Sequence, residues 1–303
     1  MKTEAEKSYT VNIVGAPNWY ISEHKGQNVE MERPPNVKFT YDQPKDNILT
    51  YFINDGLRFA DEVESKIKVA YVSENRLVLS GPSTNLHFLE HHDALFDYII
   101  AYDGELIKQF ADKCIIGPYC CTFIWPESKQ QIYPKNKLCS YITSMKNSTP
   151  NQQYRVRLLG AFENIRDRGG QCPDLFGRGH NSLPDSRLGK HLALKDYAFS
   201  INIENMIDDH YFSEKIIDCF LCGTIPIYYG AKKLADYFNM DGVIILDPSE
   251  DIVPLLNSLS MDLYNQKAEA IQENFILARK YTDTIQYSLN EKLYNAYDKV
   301  KNS

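Results

Sequence analysis

The 303-residue sequence has no excess of basic residues, no long hydrophobic run and no cysteine pattern typical of a disulfide framework. Lysine and arginine number 33 against 40 aspartates and glutamates, a net charge of −7. This balance argues against a general nucleic-acid-binding surface. No apolar run approaches the roughly 18–20 residues of a membrane span, and the polar start lacks the apolar centre of a signal peptide. We therefore expect a protein without a stable membrane span, or the soluble part of an anchored one.

The seven cysteines are an odd number in a long chain, which favours a reducing compartment. Cys219 and Cys222 have the spacing of a redox or zinc motif, but they lie in an apolar helical run, and we predict buried free thiols. The sequence also lacks G-x-G-x-x-G and the P-loop motif, which argues against a dehydrogenase or a P-loop enzyme. No two aspartates stand two residues apart, so there is no D-x-D metal motif.

Apolar strand and helix patterns alternate along the chain and predict an α/β protein with parallel sheets. The predicted strands are Tyr9–Val14, Ile67–Val72, Phe96–Tyr102, Cys139–Thr143, Tyr197–Ile203 and Thr224–Tyr229. The predicted helices are His87–Leu95, one around Leu106–Phe110, Gln153–Ala161, Ser213–Leu221 and two helices within residues 257–301. Up to residue 47, a single strand is followed by a polar, proline-containing stretch that we expect to be a loop. Length and composition predict two domains, over residues 1–135 and 136–270, with a helical tail over 271–303.

The densest polar cluster between apolar elements lies around a strand end and the next helix start. Glu204 and Asn205 end a predicted strand, and Ser213 is a candidate cap for the helix that carries Glu214 and Lys215. The N-terminus of a helix favours anions, so a lysine there is explained if a diphosphate is its neighbour. An ordinary solvated Glu-Lys pair explains the same pattern equally well.

Two segments upstream add candidate cations for the same site. Arg155 and Arg157 stand two apart at a predicted helix start, so they do not share one face. Arg178 follows Gly177 in a strand-to-loop turn, where glycine permits close approach of the backbone to a ligand. Each arginine alone is also compatible with a surface charge.

Four segments in order give the chain a resemblance to the α1,3/α1,4-fucosyltransferases, glycosyltransferase family 10. Residues 154–157 (Y-R-V-R) resemble the R-V-R helix start of the family, and residues 174–184 resemble its D-V-Y-G-R loop. Residues 196–205 resemble its Y-K-F-x-x-x-F-E-N strand, although Ile203 replaces the aromatic residue before Glu-Asn. Residues 211–215, followed by 223–227, resemble Y-[VI]-T-E-K and the strand behind it, with serine in place of threonine at position 213.

The resemblance implies the GT-B fold, with two Rossmann-like domains facing a cleft and additional C-terminal helices. It implies an inverting transfer of fucose from GDP-fucose to a hydroxyl of an acceptor glycan. Glu74, which follows a predicted strand in the looser N-terminal match, would be the general base. The donor-binding residues implied by the resemblance are Arg155, Arg178, Glu204, Asn205, Tyr211, Ser213, Glu214 and Lys215.

Further expectations concern cofactors, partners and location. We expect no required cofactor, with GDP-fucose as the donor substrate, and no metal site; a divalent metal stays open as an alternative even without a D-x-D motif. The expected partners are a nucleotide-sugar donor and a glycan acceptor, with no nucleic acid. We expect a bacterial or viral cytoplasmic enzyme; the alternative is the soluble catalytic fragment of a Golgi enzyme. Two other functions stay open: a GT-B transferase that uses another nucleotide sugar such as UDP-xylose, and a non-catalytic glycan- or nucleotide-binding protein.

Overall fold

The computed structural model describes residues 8–15, 36–73, 85–119, 121–177 and 186–303. The chain divides into two compact units: the first takes Met1–Gly117 together with Ile285–Ser303, and the second takes Pro118–Thr284. The boundary expected between residues 135 and 136 falls inside the second unit, because residues 118–135 group with the elements that follow them.

The strands of the described residues form two sheets. In chain order they are β1 Tyr9–Val14, β2 Val37–Tyr41, β3 Asn47–Ile53, β4 Ser65–Tyr71, β5 Tyr98–Ala101, β6 Cys114–Ile116, β7 Lys137–Thr143, β8 Asp174–Gly177, β9 Tyr197–Ile203, β10 Ile225–Tyr229 and β11 Ile244–Ile245. Every neighbouring pair in both sheets is parallel. Parallel strands need crossover connections, and helices supply most of them.

The α-helices of the described residues include a long one in the second unit and a series at the C-terminus. They are α1 Asn85–His91, α2 Gly104–Gln109, α3 Pro150–Asp167, α4 Ser186–Leu194, α5 Glu214–Leu221, α6 Ile252–Ser258, α7 Met261–Gln266, α8 Ala268–Ala278, α9 Thr284–Ser288 and α10 Glu291–Lys301. Within the described part of the chain, no helix is long and apolar enough to cross a membrane.

The sheet of the first unit has the order β2-β1-β3-β4-β5-β6. The last five residues of β3 are all buried, which is the pattern of a parallel strand covered on both faces. The polar stretch up to residue 47 is not only a loop, as expected, because it contains β2. This strand lies at the sheet edge and buries only its first residue, so its sequence lacks a strong apolar pattern.

The sheet of the second unit has the order β11-β10-β9-β7-β8. All seven residues of the central strand β9 are buried. The predicted bounds of β9 are confirmed, and α5 starts immediately after its predicted cap, Ser213. Aromatic and branched residues in β9 pack against α3 and the helices that follow β11. This packing fixes the carboxyl end of β9, where Glu204 follows.

The C-terminal region contains more helices than expected. Residues 257–301 were expected to form two helices, whereas α7, α8, α9 and α10 lie there, separated by capping residues and short turns. The end of the chain packs on the first unit: the Tyr297 hydroxyl accepts a hydrogen bond from the Thr10 N–H at 3.1 Å, and the Tyr9 ring lies 4.5 Å from that of Tyr294. Polar caps such as Ser260 and Asn290 interrupt the helical pattern, and each accepts backbone N–H bonds of the next helix.

Candidate functional site

A cavity of about 400 Å³ opens at the carboxyl ends of β7 and β9 in the second unit. Side chains from α3, α4 and the first turns of α5 complete its lining. The carboxyl edge of a parallel sheet is where ligands bind in doubly wound α/β proteins. The position of the cavity therefore identifies the candidate site.

The loop before α5 is anchored in an aromatic cluster. Phe212 is fully buried, and the centroid of its ring lies 5.0 Å from that of Tyr237, 5.3 Å from that of Phe238 and 5.4 Å from that of Tyr281. Tyr211, immediately before it, is buried as well. Large aromatic contacts of this kind hold a chain segment rigidly. They place the first turn of α5 against the cavity.

Glu204 is the organising carboxylate of the site. Its side chain is 0% exposed, and its Oε1 accepts a hydrogen bond from the Ser213 N–H at 2.9 Å. Its Oε2 accepts from the Ser213 hydroxyl at 2.7 Å and from Lys215 Nζ at 3.1 Å. A buried carboxylate is stable only when its oxygens are paired in this way. Glu204 therefore joins the end of β9 to the start of α5.

Lys215 belongs to an ion-pair network rather than standing alone at a helix start. Its Nζ lies 3.1 Å from Glu204 Oε2 and 3.5 Å from Glu214 Oε1. Burial opposes the charged form of Lys215, but the two carboxylates outweigh burial and hold its pKa above the ordinary lysine value. The two carboxylates explain why a lysine lies at the N-terminus of a helix, where the helix dipole disfavours a cation. Neither a bound diphosphate nor a solvated surface pair is needed to explain it.

Lys190 extends this network from a second helix. Its Nζ lies 3.1 Å from Glu214 Oε1 and 3.0 Å from Asp218 Oδ2. Burial alone would raise the pKa of Glu214, yet Lys190 and Lys215 together hold it well below the usual glutamate range. The result is a chain of alternating charges from Asp218 through Lys190, Glu214 and Lys215 to Glu204.

Arg155 reaches the cavity from α3. A capping box at Thr149 fixes the start of this helix, and the Thr149 hydroxyl also donates to the Asn205 carbonyl at 2.8 Å. Arg155 Nη2 donates to the Asn205 side-chain oxygen. The helix begins at Pro150, so Arg155 stands in its second turn rather than at the helix start that the sequence indicated.

The guanidinium of Arg155 differs from the two lysines in its pairing. The residue is 9% exposed, and its Nε has no hydrogen-bond partner within the described residues. None of the ion pairs between described side chains includes Arg155. A buried and unmatched guanidinium beside a cavity is a ready partner for an anion.

Glycine is required where β8 meets β7. Gly177 has a φ of 118°, and a Cβ there would lie 1.9 Å from the Thr143 carbonyl oxygen. Only glycine adopts this backbone conformation without strain. The D-L-F-G segment predicted as a strand-to-loop turn is therefore confirmed as far as Gly177, the last described residue before Arg178.

The first unit carries its own polar cluster at the carboxyl ends of its strands. Asn54, in the left-handed conformation with a φ of 50°, donates from Nδ2 to the Ser73 hydroxyl at 2.8 Å and accepts from the Ser73 N–H at 2.9 Å. The Tyr102 hydroxyl donates to the Ser73 carbonyl at 3.1 Å. Ser73 directly precedes Glu74, so the chain is held firmly up to the predicted general base.

The structure brings most of the predicted donor-binding residues together. Those around the cavity are Arg155, Glu204, Asn205, Ser213, Glu214 and Lys215. Tyr211 lies in the buried loop before α5. Glu74 and Arg178 lie outside the described residues. The roles of all these residues stay predictions.

Several residues of the site were missed from the sequence. Lys190 and Asp218 line the cavity, and Asn151 donates to the Glu204 carbonyl at 3.0 Å. Residues 149–152 read T-P-N-Q, a capping-box signature that could have located both the helix start and Asn151. The spacing of Glu214 and Asp218, four residues apart, also places them on one helix face.

The described residues show two further features relevant to chemistry. No group of three or more His, Cys, Asp or Glu among them could hold a metal ion. Cys219 and Cys222 are free and buried, as predicted from the apolar run around them.

The chain is similar to curated proteins over part of its length. No family model matches the chain. Over 92 residues the chain is 34% identical to an α-(1,3)-fucosyltransferase of Helicobacter pylori, a stretch that is 30% of this chain and 18% of that protein. The chain therefore matches less than a fifth of the length of this relative.

Solved structures extend the likeness to nearly the whole chain. An α1,3-fucosyltransferase crystallised with GDP-fucose gives a TM-score of 0.53 at 17% identity, covering 99% of this chain and 93% of the other. HepE of Anabaena in complex with UDP gives 0.54 at 11% identity, covering 97% and 100%. The predicted GT-B fold and the resemblance to the fucosyltransferases are confirmed.

Proposed function

We propose that this chain, which resembles the α1,3-fucosyltransferases in local sequence and in fold, is an inverting glycosyltransferase that transfers fucose from GDP-fucose to a hydroxyl of an acceptor glycan. The observation that carries the proposal is the position of Arg155, Glu214 and Lys215 around one cavity at the carboxyl ends of β7 and β9. Arg155 comes from one segment of the family resemblance and the adjacent Glu214 and Lys215 from another, and folding brings the two segments together.

In this proposal the cavity binds the nucleotide diphosphate. Arg155 is the principal anion ligand because its guanidinium is buried and has no carboxylate partner among the described side chains. Lys215 lines the same cavity, and the N-terminal end of the α5 dipole adds positive potential there. Arg178, which follows Gly177 in the sequence, would contribute as the family resemblance implies. Stabilising the charge that develops on GDP lowers the barrier for its departure.

The remaining donor-binding residues orient the sugar part of the donor. Asn205 and Tyr211 would do so by hydrogen bonds, as the family resemblance implies, and Glu214 offers a carboxylate that lines the cavity. Correct orientation turns a bimolecular encounter into an effectively intramolecular one. Glu204 and Ser213 have a different role. Their side chains hydrogen-bond to the Lys215 ammonium group and to each other, and so hold Lys215 in place.

The transfer itself is a single displacement. The acceptor oxygen attacks the anomeric carbon of fucose, and the bond from that carbon to the β-phosphate oxygen breaks. Glu74 takes the proton of the acceptor hydroxyl as the new bond forms. One displacement inverts the anomeric centre, so a β-linked donor gives an α-fucoside. We propose that no divalent metal is required, because the sequence has no D-x-D motif.

A different nucleotide sugar is the second candidate donor. HepE, a neighbour with the same fold, was crystallised with UDP, and likeness in fold at 11% identity does not choose between GDP and UDP. The local sequence match to a fucosyltransferase favours GDP-fucose. A thermal-shift experiment with GDP, UDP and their sugars separates the two donors. GDP is expected to raise the melting temperature; stabilisation by UDP and not by GDP would exclude fucose transfer from GDP-fucose.

A transfer assay tests catalysis as opposed to binding alone. Glu74→Gln keeps the size of the side chain and removes the proposed base, so fucose transfer should fall by about a hundredfold or more while GDP binding persists. Glu62→Gln, an exposed glutamate of the same unit, is the matched control. Unchanged turnover in Glu74→Gln would exclude this residue as the base. EDTA added to the wild-type assay tests the proposed independence from metal.

A further inference from the structure

Lys190 contacts two parts of the second unit besides its own helix. Its Nζ lies 3.1 Å from Glu214 Oε1 and 3.0 Å from Asp218 Oδ2, both on α5, while Lys190 itself stands on α4. The same ammonium lies 4.7 Å from the centroid of the Phe123 ring. The lysine lines the cavity, with 16% of its side chain exposed.

Two ammonium groups share one oxygen of Glu214. Lys190 Nζ lies 3.1 Å from Oε1, and Lys215 Nζ lies 3.5 Å from the same atom. Cations on one oxygen fix the orientation of a carboxylate and keep it ionised, while the other oxygen retains lone pairs for hydroxyl donors. The Ser213 side chain already hydrogen-bonds to this carboxylate, and Glu214 lines the cavity, so a further hydroxyl donor would come from a ligand there.

We infer that Lys190 is a positioning residue of the donor site: it holds the Glu214 carboxylate so that its second oxygen accepts a hydrogen bond from a hydroxyl group of the nucleotide sugar. This inference rests on the proposed function, because it takes the ligand of the cavity to be a nucleotide sugar. Lys190 lies on a helix outside the four segments that resemble the fucosyltransferases, and the inference assigns it to the donor site.

The contacts of Lys190 argue against a direct role as a phosphate ligand. Both of its close partners are carboxylates, at 3.1 Å and 3.0 Å, whereas the second carboxylate of Lys215 lies farther away at 3.5 Å, so Lys190 is the more fully neutralised of the two lysines. One of them, Asp218, is 0% exposed and also accepts from the Thr122 hydroxyl at 2.6 Å and from the Phe123 N–H at 2.9 Å. A purely structural role through Asp218 is the competing explanation.

A double-mutant cycle separates the two explanations. The variants are Lys190→Met, Glu214→Gln and the two combined, with Lys232→Met, an exposed lysine, as the matched control. Measurements are the Kd for GDP-fucose, the KM for GDP-fucose, kcat and the melting temperature. If Lys190 acts through Glu214, Lys190→Met raises Kd and KM about tenfold or more in the wild-type background. In the Glu214→Gln background it should raise them less than about threefold.

Two further variants guard against a folding defect. Lys190→Met leaves Asp218 buried without its cation, so Lys190→Met combined with Asp218→Asn removes that charge, and this pair should still bind the donor weakly. Lys190→Arg keeps a cation and should recover part of the affinity. An equal loss from Lys190→Met in both Glu214 backgrounds, or no loss at all, overturns the inference while leaving the proposed function intact. Wild-type protein that binds neither GDP nor GDP-fucose overturns both.

Discussion

Replacing Glu204 by glutamine tests the link between β9 and α5. Glu204 is fully buried and accepts hydrogen bonds from the Ser213 N–H and hydroxyl and from Lys215 Nζ. Glutamine keeps the size of the side chain but removes its charge. It also brings an NH₂ group beside the Ser213 N–H and the Lys215 ammonium, which are themselves donors. The substitution therefore leaves Lys215 without its closest carboxylate.

The expected cost follows from the burial of the pair. Removing one partner of a buried ion pair costs about 3–5 kcal/mol. Lys215 keeps Glu214 at 3.5 Å and remains partly exposed in the cavity, which reduces the cost to about 2–4 kcal/mol. For a unit of this size, this corresponds to a fall in melting temperature of roughly 4–15 °C. Donor affinity should fall as well, since Lys215 loses its fixed position.

Chemical denaturation and donor binding measure the two effects. Glu250→Gln, an exposed glutamate in the turn before α6, is the control and should leave both unchanged. Glu204→Met combined with Lys215→Met removes both charges together and should recover much of the stability without recovering donor binding. A Glu204→Gln protein with a free energy of unfolding within about 0.5 kcal/mol of wild type would refute this account of the pair.

Further substitutions and one labelling experiment test other parts of the site and the fold. Arg155→Met should weaken GDP binding about tenfold to a hundredfold by calorimetry with little change in melting temperature, since this arginine has no carboxylate partner among the described side chains. Thr149→Ala should lower the free energy of unfolding by about 1–2 kcal/mol in urea titrations through loss of the capping box. Gly177→Ala should cost about 2 kcal/mol or more in the same titrations, because its Cβ would meet the Thr143 carbonyl. Burial raises the pKa of the Cys219 thiol to about 12, so a thiol reagent at pH 8 should label it only after unfolding; rapid labelling of the native protein would contradict its burial.

Strong local patterns predicted the elements that carry the site. The alternation through Phe199, Ile201 and Ile203 located β9, and Ser213 marked the start of α5. The edge strand β2 was missed because four of its five residues are not fully buried, which leaves little apolar signal. The C-terminal helices were merged into two because the helical periodicity continues across short capped breaks, such as that at Ser260.

Proximity in the chain decided which site residues could be predicted. Glu204, Ser213 and Lys215 lie within twelve positions and join a strand end to a helix start, so their meeting follows from local structure. Lys190 belongs to another helix, and its pairing with Glu214 depends on how the two helices pack. No local pattern reports that packing, so the ion-pair network required the three-dimensional structure.

The balance of charge around the cavity affects how tightly a diphosphate would bind there and how fast the product would leave. Arg155, Lys190 and Lys215 lie there beside the carboxylates Glu204, Glu214 and Asp218, and the exposed Lys146 is a fourth cation of the lining. Three unpaired cations would bind a diphosphate so tightly that release of the product would limit the rate. With Lys190 and Lys215 neutralised by carboxylates, binding of the ground state is moderated, while Arg155 lines the cavity without a carboxylate partner among the described side chains. On the proposed function, charge grows on the leaving GDP as the sugar departs, so this arrangement favours the transition state over both substrate and product.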